Sequence, residues 1–187
     1  MAIDSSGSGV VKSSPMDSAS LPTVTAYLGL GSNLGDRLAT LRGARIALDG
    51  VSGVRVLQGS RLYETAPVGG PPGQGPYLNG VLAVATQRSP LSLLEACLAV
   101  EEAFGRSRRE RWGARTLDID LLFHGRTVRE DARLILPHPR LHQRAFILVP
   151  LEELAPGLVH PGLGLTVRQL LERRPDREGV KLLAETW

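Results

Sequence analysis

The chain has 187 residues, 42% hydrophobic and only 4% aromatic, a composition that suits one domain with an aliphatic core plus an extension. Its formal net charge of +3 is modest, so an anionic partner is to be sought in a local cluster and not over the whole surface. No apolar run reaches membrane-spanning length, the N-terminus has no hydrophobic signal core, and the single cysteine, Cys97, excludes an intramolecular disulfide and points to a reducing cytoplasm.

Residues 1–21 are rich in Ser and Gly without periodicity and read as a disordered extension, leaving 22–187 as a single domain. Val24 to Leu30 is short and apolar, a buried first strand. The glycines from Gly29 to Gly35 then turn the chain into a helix over about 36–48. They do not make a dinucleotide fingerprint, because Leu34 stands where its last glycine belongs. Val54 to Tyr63 alternates and predicts one strand. Thr65 to Pro76 is crowded with proline and glycine, a loop without regular structure and a candidate lid. Tyr77 to Thr86 predicts a third strand. Ser89-Pro90 opens a helix that runs to Phe104 and stops at Gly105. Leu117 to Phe123 is a fourth strand, Gly125-Arg126 a turn, and Leu134 to Leu136 a brief pairing segment. Arg144 to Leu154 and Val167 to Arg174 read as helices. Strand-helix-strand twice, then an α-rich tail, predicts an α+β fold: a ferredoxin-like sandwich with an antiparallel sheet and helices on its faces.

The chemistry concentrates in Arg111-Trp112-Gly113-Ala114-Arg115-Thr116-Leu117-Asp118-Ile119-Asp120. Two residues apart in a strand, Asp118 and Asp120 share one face, roughly 6.6 Å apart along the backbone. Leu117, Ile119 and Leu121 then face a core. Adjacent carboxylates repel unless a cation lies between them or one takes a proton. Arg106, Arg108, Arg109, Arg111 and Arg115 precede them, and the guanidinium fork matches phosphate oxygens. Paired aspartates beside clustered arginines are what phosphoryl-group transfer on magnesium requires.

Other residues stand out against their local pattern. Glu101 falls between two apolar stripes of its helix, near the C-terminal end, where both burial and the helix dipole disfavour a carboxylate. A nearby arginine or a ligand would resolve that conflict. Asn79 interrupts a strand and shares a face with Tyr77, and an amide with a ring can read and stack on a heterocycle. His138 lies between Pro137 and Pro139; without a second His or Cys close by it is a poor zinc ligand, and phosphate contact or a surface turn both remain open. Arg144 and Phe146 offer one more cation and one more ring, and Trp112 is either a loop anchor or a cover over a ligand.

These motifs come in an ordered series: Gly31-Ser32-Asn33-Leu34, Tyr63-x-Thr65, Tyr77-Leu78-Asn79, the arginine–aspartate segment, Pro137-His138 and Arg144-x-Phe146. Over about Val24 to Leu154 the chain resembles the 6-hydroxymethyl-7,8-dihydropterin pyrophosphokinases of folate biosynthesis. The resemblance implies a ferredoxin-like fold and transfer of diphosphate from ATP, the co-substrate, to the pterin hydroxymethyl group, releasing AMP. It implies two magnesium ions on Asp118 and Asp120, and Arg106 and Arg115 on the transferring group. ATP contacts would come from Glu101, Arg108, Arg111, Trp112, Arg133, His138 and Arg144. Tyr77 and Phe146 would sandwich the pterin, with Asn79, Thr65 and the backbone near Val68 on its edge. The segment from Gly105 to Arg111 is one residue shorter than in the most familiar form, so Arg109 could take the place of Arg108. Pro139 stands where some relatives have Tyr, and Leu98 where some have a nucleotide-contacting Gln. A cytoplasmic monomer is expected, acting on these two small molecules, with no nucleic acid and no membrane as partner.

Overall fold

A computed structural model describes residues 22–69, 71–105 and 115–187. The described elements run β1 (Val24–Ser32), α1 (Arg37–Asp49), β2 (Val54–Gly59), β3 (Leu62–Thr65), β4 (Tyr77–Thr86), α2 (Pro90–Ala103), β5 (Asp118–His124), β6 (Arg129–Glu130), β7 (Ile135–Leu136), α3 (Ala145–Leu154), β8 (Val159–His160), β9 (Leu165–Thr166), α4 (Val167–Glu172) and β10 (Lys181–Ala184). The main sheet has the order β10-β3-β4-β1-β5, with β2 also on β4, and every pairing is antiparallel. Because β1 and β2 flank β4, the α1 crossover leaves room for a third strand between its two ends, as in a ferredoxin-like sandwich.

The helix starts follow from their caps. Asp36 accepts a bond from the Ala39 N–H at 2.9 Å ahead of α1, and Ser89 accepts from Ser92 N–H at 3.3 Å ahead of α2, with Pro90 in the first turn. Gly35, at φ +61°, makes the turn into α1. Strand alternation sorts the side chains onto two faces. Ala26, Leu28, Leu30, Leu78, Leu82, Val84, Ile119 and Leu121 pack with Leu41, Leu48, Leu93 and Cys97 of the first two helices. On the opposite face Val81 and Leu122 pack with Ile147, Leu148, Leu151 and Leu170 of α3 and α4. Both layers are nearly all aliphatic, in line with the scarcity of aromatics. Burial pushes the Cys97 thiol up to about 12, so it packs as a small apolar group and does not ionise.

Three strand assignments change in the main sheet. β1 continues to Ser32, so Gly29 and Gly31 lie inside a strand and not in a turn. The predicted strand over 54–63 breaks at Ser60-Arg61 into β2 and β3, which occupy successive stretches of one edge of β4. The Ser60 hydroxyl fills the gap, accepting from Val81 N–H at 2.9 Å and donating to the Arg61 carbonyl at 2.7 Å. Finally, β10 adds an edge strand beside β3 that no sequence pattern announced. It leads to Trp187, whose indole N–H donates to the Ser60 carbonyl at 2.6 Å. That ring lies against two glycines: a Cβ on Gly80 would meet it at 2.5 Å, and one on Gly59 at 2.8 Å.

Candidate active site

The site lies on the sheet face that α3 covers only in part. β1 is its floor, flanked by β4 and β5. Register places Gly31 opposite both Asn79 and Asp118, and Gly29 opposite Asp120. Two glycines in the central strand therefore lie beside Asn79, Asp118 and Asp120. A side chain at Gly31 would fill the space, since its Cβ would come within 3.2 Å of the Asn79 amide oxygen. The resulting cavity of about 740 Å³ is lined by Gly29, Gly31, Thr65, Val68, Tyr77, Asn79, Arg115, Asp118, Asp120, His138, Arg140, Gln143, Arg144 and Phe146, among others.

At one end stand the two carboxylates. Asp118 and Asp120 point away from Ile119, which is buried in the helical layer. Arg115 Nη1 donates to Asp118 Oδ2 at 2.6 Å, and Arg144 Nη1 donates to Asp120 Oδ2 at 2.9 Å. The like-charge conflict expected from the sequence is thus met, among the described residues, by a guanidinium on each carboxylate. His138 is carried beside β5 by its own N–H, which donates to the Leu122 carbonyl at 3.0 Å. Its Nδ1 accepts from Arg140 N–H at 3.2 Å, so the neutral ring carries its proton on Nε2, 3.8 Å from Asp120 Oδ2. Burial pushes the His138 pKa below the ordinary value, and the positive charges of Arg144 and Arg140 act the same way, against an opposing pull from Asp120.

At the other end the character changes. Asn79 Nδ2 donates to Thr65 Oγ1 at 2.9 Å, fixing the amide plane. Tyr77 and Phe146 supply rings, and Arg144 lies 5.6 Å from the Phe146 centroid, a cation–π arrangement. Burial raises the Tyr77 pKa, so its hydroxyl stays protonated. Val68 borders this end and is largely exposed.

Not every predicted residue reaches the cavity. Glu101 is buried on α2, behind β5, and its Oε1 accepts from the Ile119 N–H at 2.6 Å. That bond grips the strand midway between the two aspartates. The burial anticipated from its helical position is real, and a backbone N–H is one partner that answers it. Arg133 is an exposed side chain whose Nη2 donates to Glu95 Oε1 at 2.7 Å, and it does not line the cavity. Arg106, Arg108, Arg109, Arg111 and Trp112 lie outside the described residues. Sequence reasoning missed Arg140 and Gln143, which both line the cavity. Their only signal was closeness to His138 and Arg144 along the chain, and a single arginine or glutamine in a turn is ordinarily a surface residue.

The donor set suits magnesium. Two carboxylates opening on one cavity are hard oxygen donors, and magnesium is commonly held by one or two carboxylates together with substrate phosphates and water. Among the described residues no group of three His, Cys, Asp or Glu side chains forms an all-protein cage.

Residues 27–156 match the family model of 7,8-dihydro-6-hydroxymethylpterin-pyrophosphokinase. A 2-amino-4-hydroxy-6-hydroxymethyldihydropteridine pyrophosphokinase of Methylorubrum extorquens is 47% identical, over 83% of this chain and 96% of the relative. The enzyme of the same name from a Synechocystis species is 45% identical, over 79% of this chain and 75% of the relative. Among solved structures, a triple mutant of the Plasmodium falciparum HPPK-DHPS protein superposes with a TM-score of 0.69 at 16% identity, covering 86% of this chain and 47% of that one, a likeness of fold. On the sequence match over most of its length, the chain belongs to the 7,8-dihydro-6-hydroxymethylpterin-pyrophosphokinase family.

Proposed function

We infer that the cavity is where this chain carries out its family's reaction, the transfer of diphosphate from ATP to the hydroxymethyl group of 6-hydroxymethyl-7,8-dihydropterin, giving AMP and the pterin diphosphate. The observation that carries the assignment is the polarity of the cavity: carboxylates and arginines at one end, an oriented amide and two rings at the other. An anionic, metal-bound phosphate chain suits the first, and a flat heterocycle with a hydrogen-bonding edge suits the second.

Asp118 and Asp120 would hold the magnesium, which when bound neutralises phosphate charge and acidifies the attacking hydroxyl. Arg115 and Arg144 stand where they can shift from carboxylate to phosphate oxygens, Arg115 serving the transferring group. His138, with its proton on Nε2, donates to a phosphate oxygen without adding a full charge. Asn79 reads the pyrimidinone edge, kept in orientation by Thr65, while Tyr77 and Phe146 stack on the ring faces and the backbone near Val68 closes the edge. Glu101 acts behind the site by holding β5 in place. Catalysis is then a matter of positioning and charge, with no covalent nucleophile. A reducing cytoplasm fits the buried, unbonded Cys97; among the described residues no helix is long and apolar enough to cross a membrane.

Incubation with ATP, magnesium and the hydroxymethyl-dihydropterin is expected to yield AMP and pterin diphosphate in equal amounts. ADP as the nucleotide product, or ATP consumption independent of the pterin, would contradict the assignment.

A further inference from the structure

Trp187 follows β10 and packs against the same core as α1 and α2, on the sheet face away from the cavity. Its indole N–H donates to the Ser60 carbonyl at 2.6 Å, at the break between β2 and β3. Ser60 is in turn bonded twice to Val81: its N–H donates to the Val81 carbonyl at 2.9 Å, and its hydroxyl accepts from the Val81 N–H at 2.9 Å. The ring occupies space that Gly59 and Gly80 leave open. A Cβ on Gly80 would meet Trp187 Cζ2 at 2.5 Å, and one on Gly59 would meet Nε1 at 2.8 Å. Gly80 and Val81 directly follow Asn79 in β4, and strand alternation sets the Asn79 amide on the cavity face with Trp187 behind the next residue. β10 pairs with β3, and Thr65 at the end of β3 holds that same amide.

We propose that Trp187 is a positioning residue for the pterin end of the cavity: from behind the sheet it fixes β4 at Gly80, and with it the reach of Asn79 toward the heterocycle. The physical argument is packing. A glycine inside a strand leaves a gap where another group can approach the backbone closely, and a large flat ring fills that gap. The indole N–H, which needs a partner once the ring is packed, finds it in the carbonyl that also marks the break in the neighbouring edge. β1 separates β4 from β5, which carries both aspartates, so the effect falls on the pterin and not on the nucleotide. The inference rests on the cavity taking the pterin at its Asn79 end.

The test is steady-state kinetics with the dihydropterin varied, beside calorimetric titration of a non-hydrolysable ATP analogue with magnesium. The proteins are wild type, Trp187→Ala, Gly59→Ala and the double variant. Trp187→Ala should lower kcat/KM for the dihydropterin by about 10- to 10²-fold, the order that a misplacement of about 1 Å costs from a distance, and leave the Kd of the analogue unchanged. Gly59 is not among the residues lining the cavity, and its added methyl would displace the indole. Gly59→Ala should therefore reproduce the loss in wild type and add little in the Trp187→Ala background, where the clashing ring is gone. A role in stability alone would lower the melting temperature and leave kcat/KM of the folded enzyme intact. An unchanged kcat/KM in Trp187→Ala, or in Gly59→Ala should the former not fold, overturns the proposal. So does an equal loss of analogue affinity, or full additivity in the double variant. A wild-type chain that makes no AMP from ATP and the dihydropterin would instead overturn the assignment of the cavity.

Discussion

At the level of single residues the site turns on side chains whose role is set by what holds them. Asp118 and Asp120 are partly exposed and their strand neighbours are in the core, so removing either carboxylate leaves the packing intact. Asp118→Ala and Asp120→Ala should each abolish AMP production while unfolding with a normal denaturant midpoint. Near-normal turnover of either variant at saturating magnesium would exclude it as a metal ligand. Arg115 is held at its backbone by Asn33 and at its tip by Asp118, so its side chain is aimed before substrate arrives. Its expected contribution falls in the transition state, where charge on the transferring group shifts most. Arg115→Ala should therefore reduce kcat on the order of 10³-fold, as for arginine fingers, with a much smaller loss of ATP affinity. Comparable losses in binding and none in turnover would assign it to ground-state binding.

Between elements, the contact that matters most to the site is the one from α2 to β5. A carboxylate on a mostly apolar helix reaches the Ile119 N–H, the only backbone donor between those of the two aspartates. A hydrogen bond of this kind contributes about 0.5–1.5 kcal/mol, and its loss also strands a buried donor at a further cost of about 1–3 kcal/mol. Glu101→Ala should lower unfolding free energy by at least that order and slow turnover, because β5 is freed from its backing. Urea titration and AMP production measure the two effects. A variant with full stability would show that β5 needs no such support. β5 and the residue before it carry the alternation that the sequence displayed, Leu117, Ile119 and Leu121 inward and the aspartates outward. The break between β2 and β3 falls on the polar run Gln58-Gly59-Ser60-Arg61, where the Ser60 hydroxyl accepts from the Val81 N–H of β4 and donates to the Arg61 carbonyl.

Over the molecule as a whole, pH acts through histidines that folding takes out of water. His160 is buried against Phe123 and His142. Desolvation, and then repulsion from His142, hold its pKa below the ordinary 6.5. The folded state therefore favours the neutral ring. Above 6.5 neither state binds the proton and stability is full; as pH falls through 6.5 toward the lower folded value, the unfolded chain binds protons first and stability declines. His138 acts in the same sense. His160→Phe should flatten this decline, so that variant and wild type differ more below pH 6.5 than above it. Denaturant midpoints across that range provide the measurement, and parallel profiles would show that His160 does not carry the effect.

Strand alternation, caps and charge clustering are local properties, so the fold class, the order of the principal elements and the closeness of carboxylates and arginines were legible along the chain. It also marked Glu101, Asn79 and Gly31-Ser32-Asn33 as residues at odds with their surroundings or part of an ordered motif. Tertiary structure decided what each of them meets. That β1 continues through Gly29 and Gly31 depends on ladder bonds from β4 and β5, which lie far along the chain. That Glu101 bonds a strand backbone, that Arg140 and Gln143 line the cavity, and that Arg133 turns to Glu95 are matters of which segments fold against one another. So too is β10, a four-residue strand whose partner lies more than a hundred residues away in the chain. Its pairing comes from an edge of the sheet, and an edge exists only once the rest of the sheet has formed.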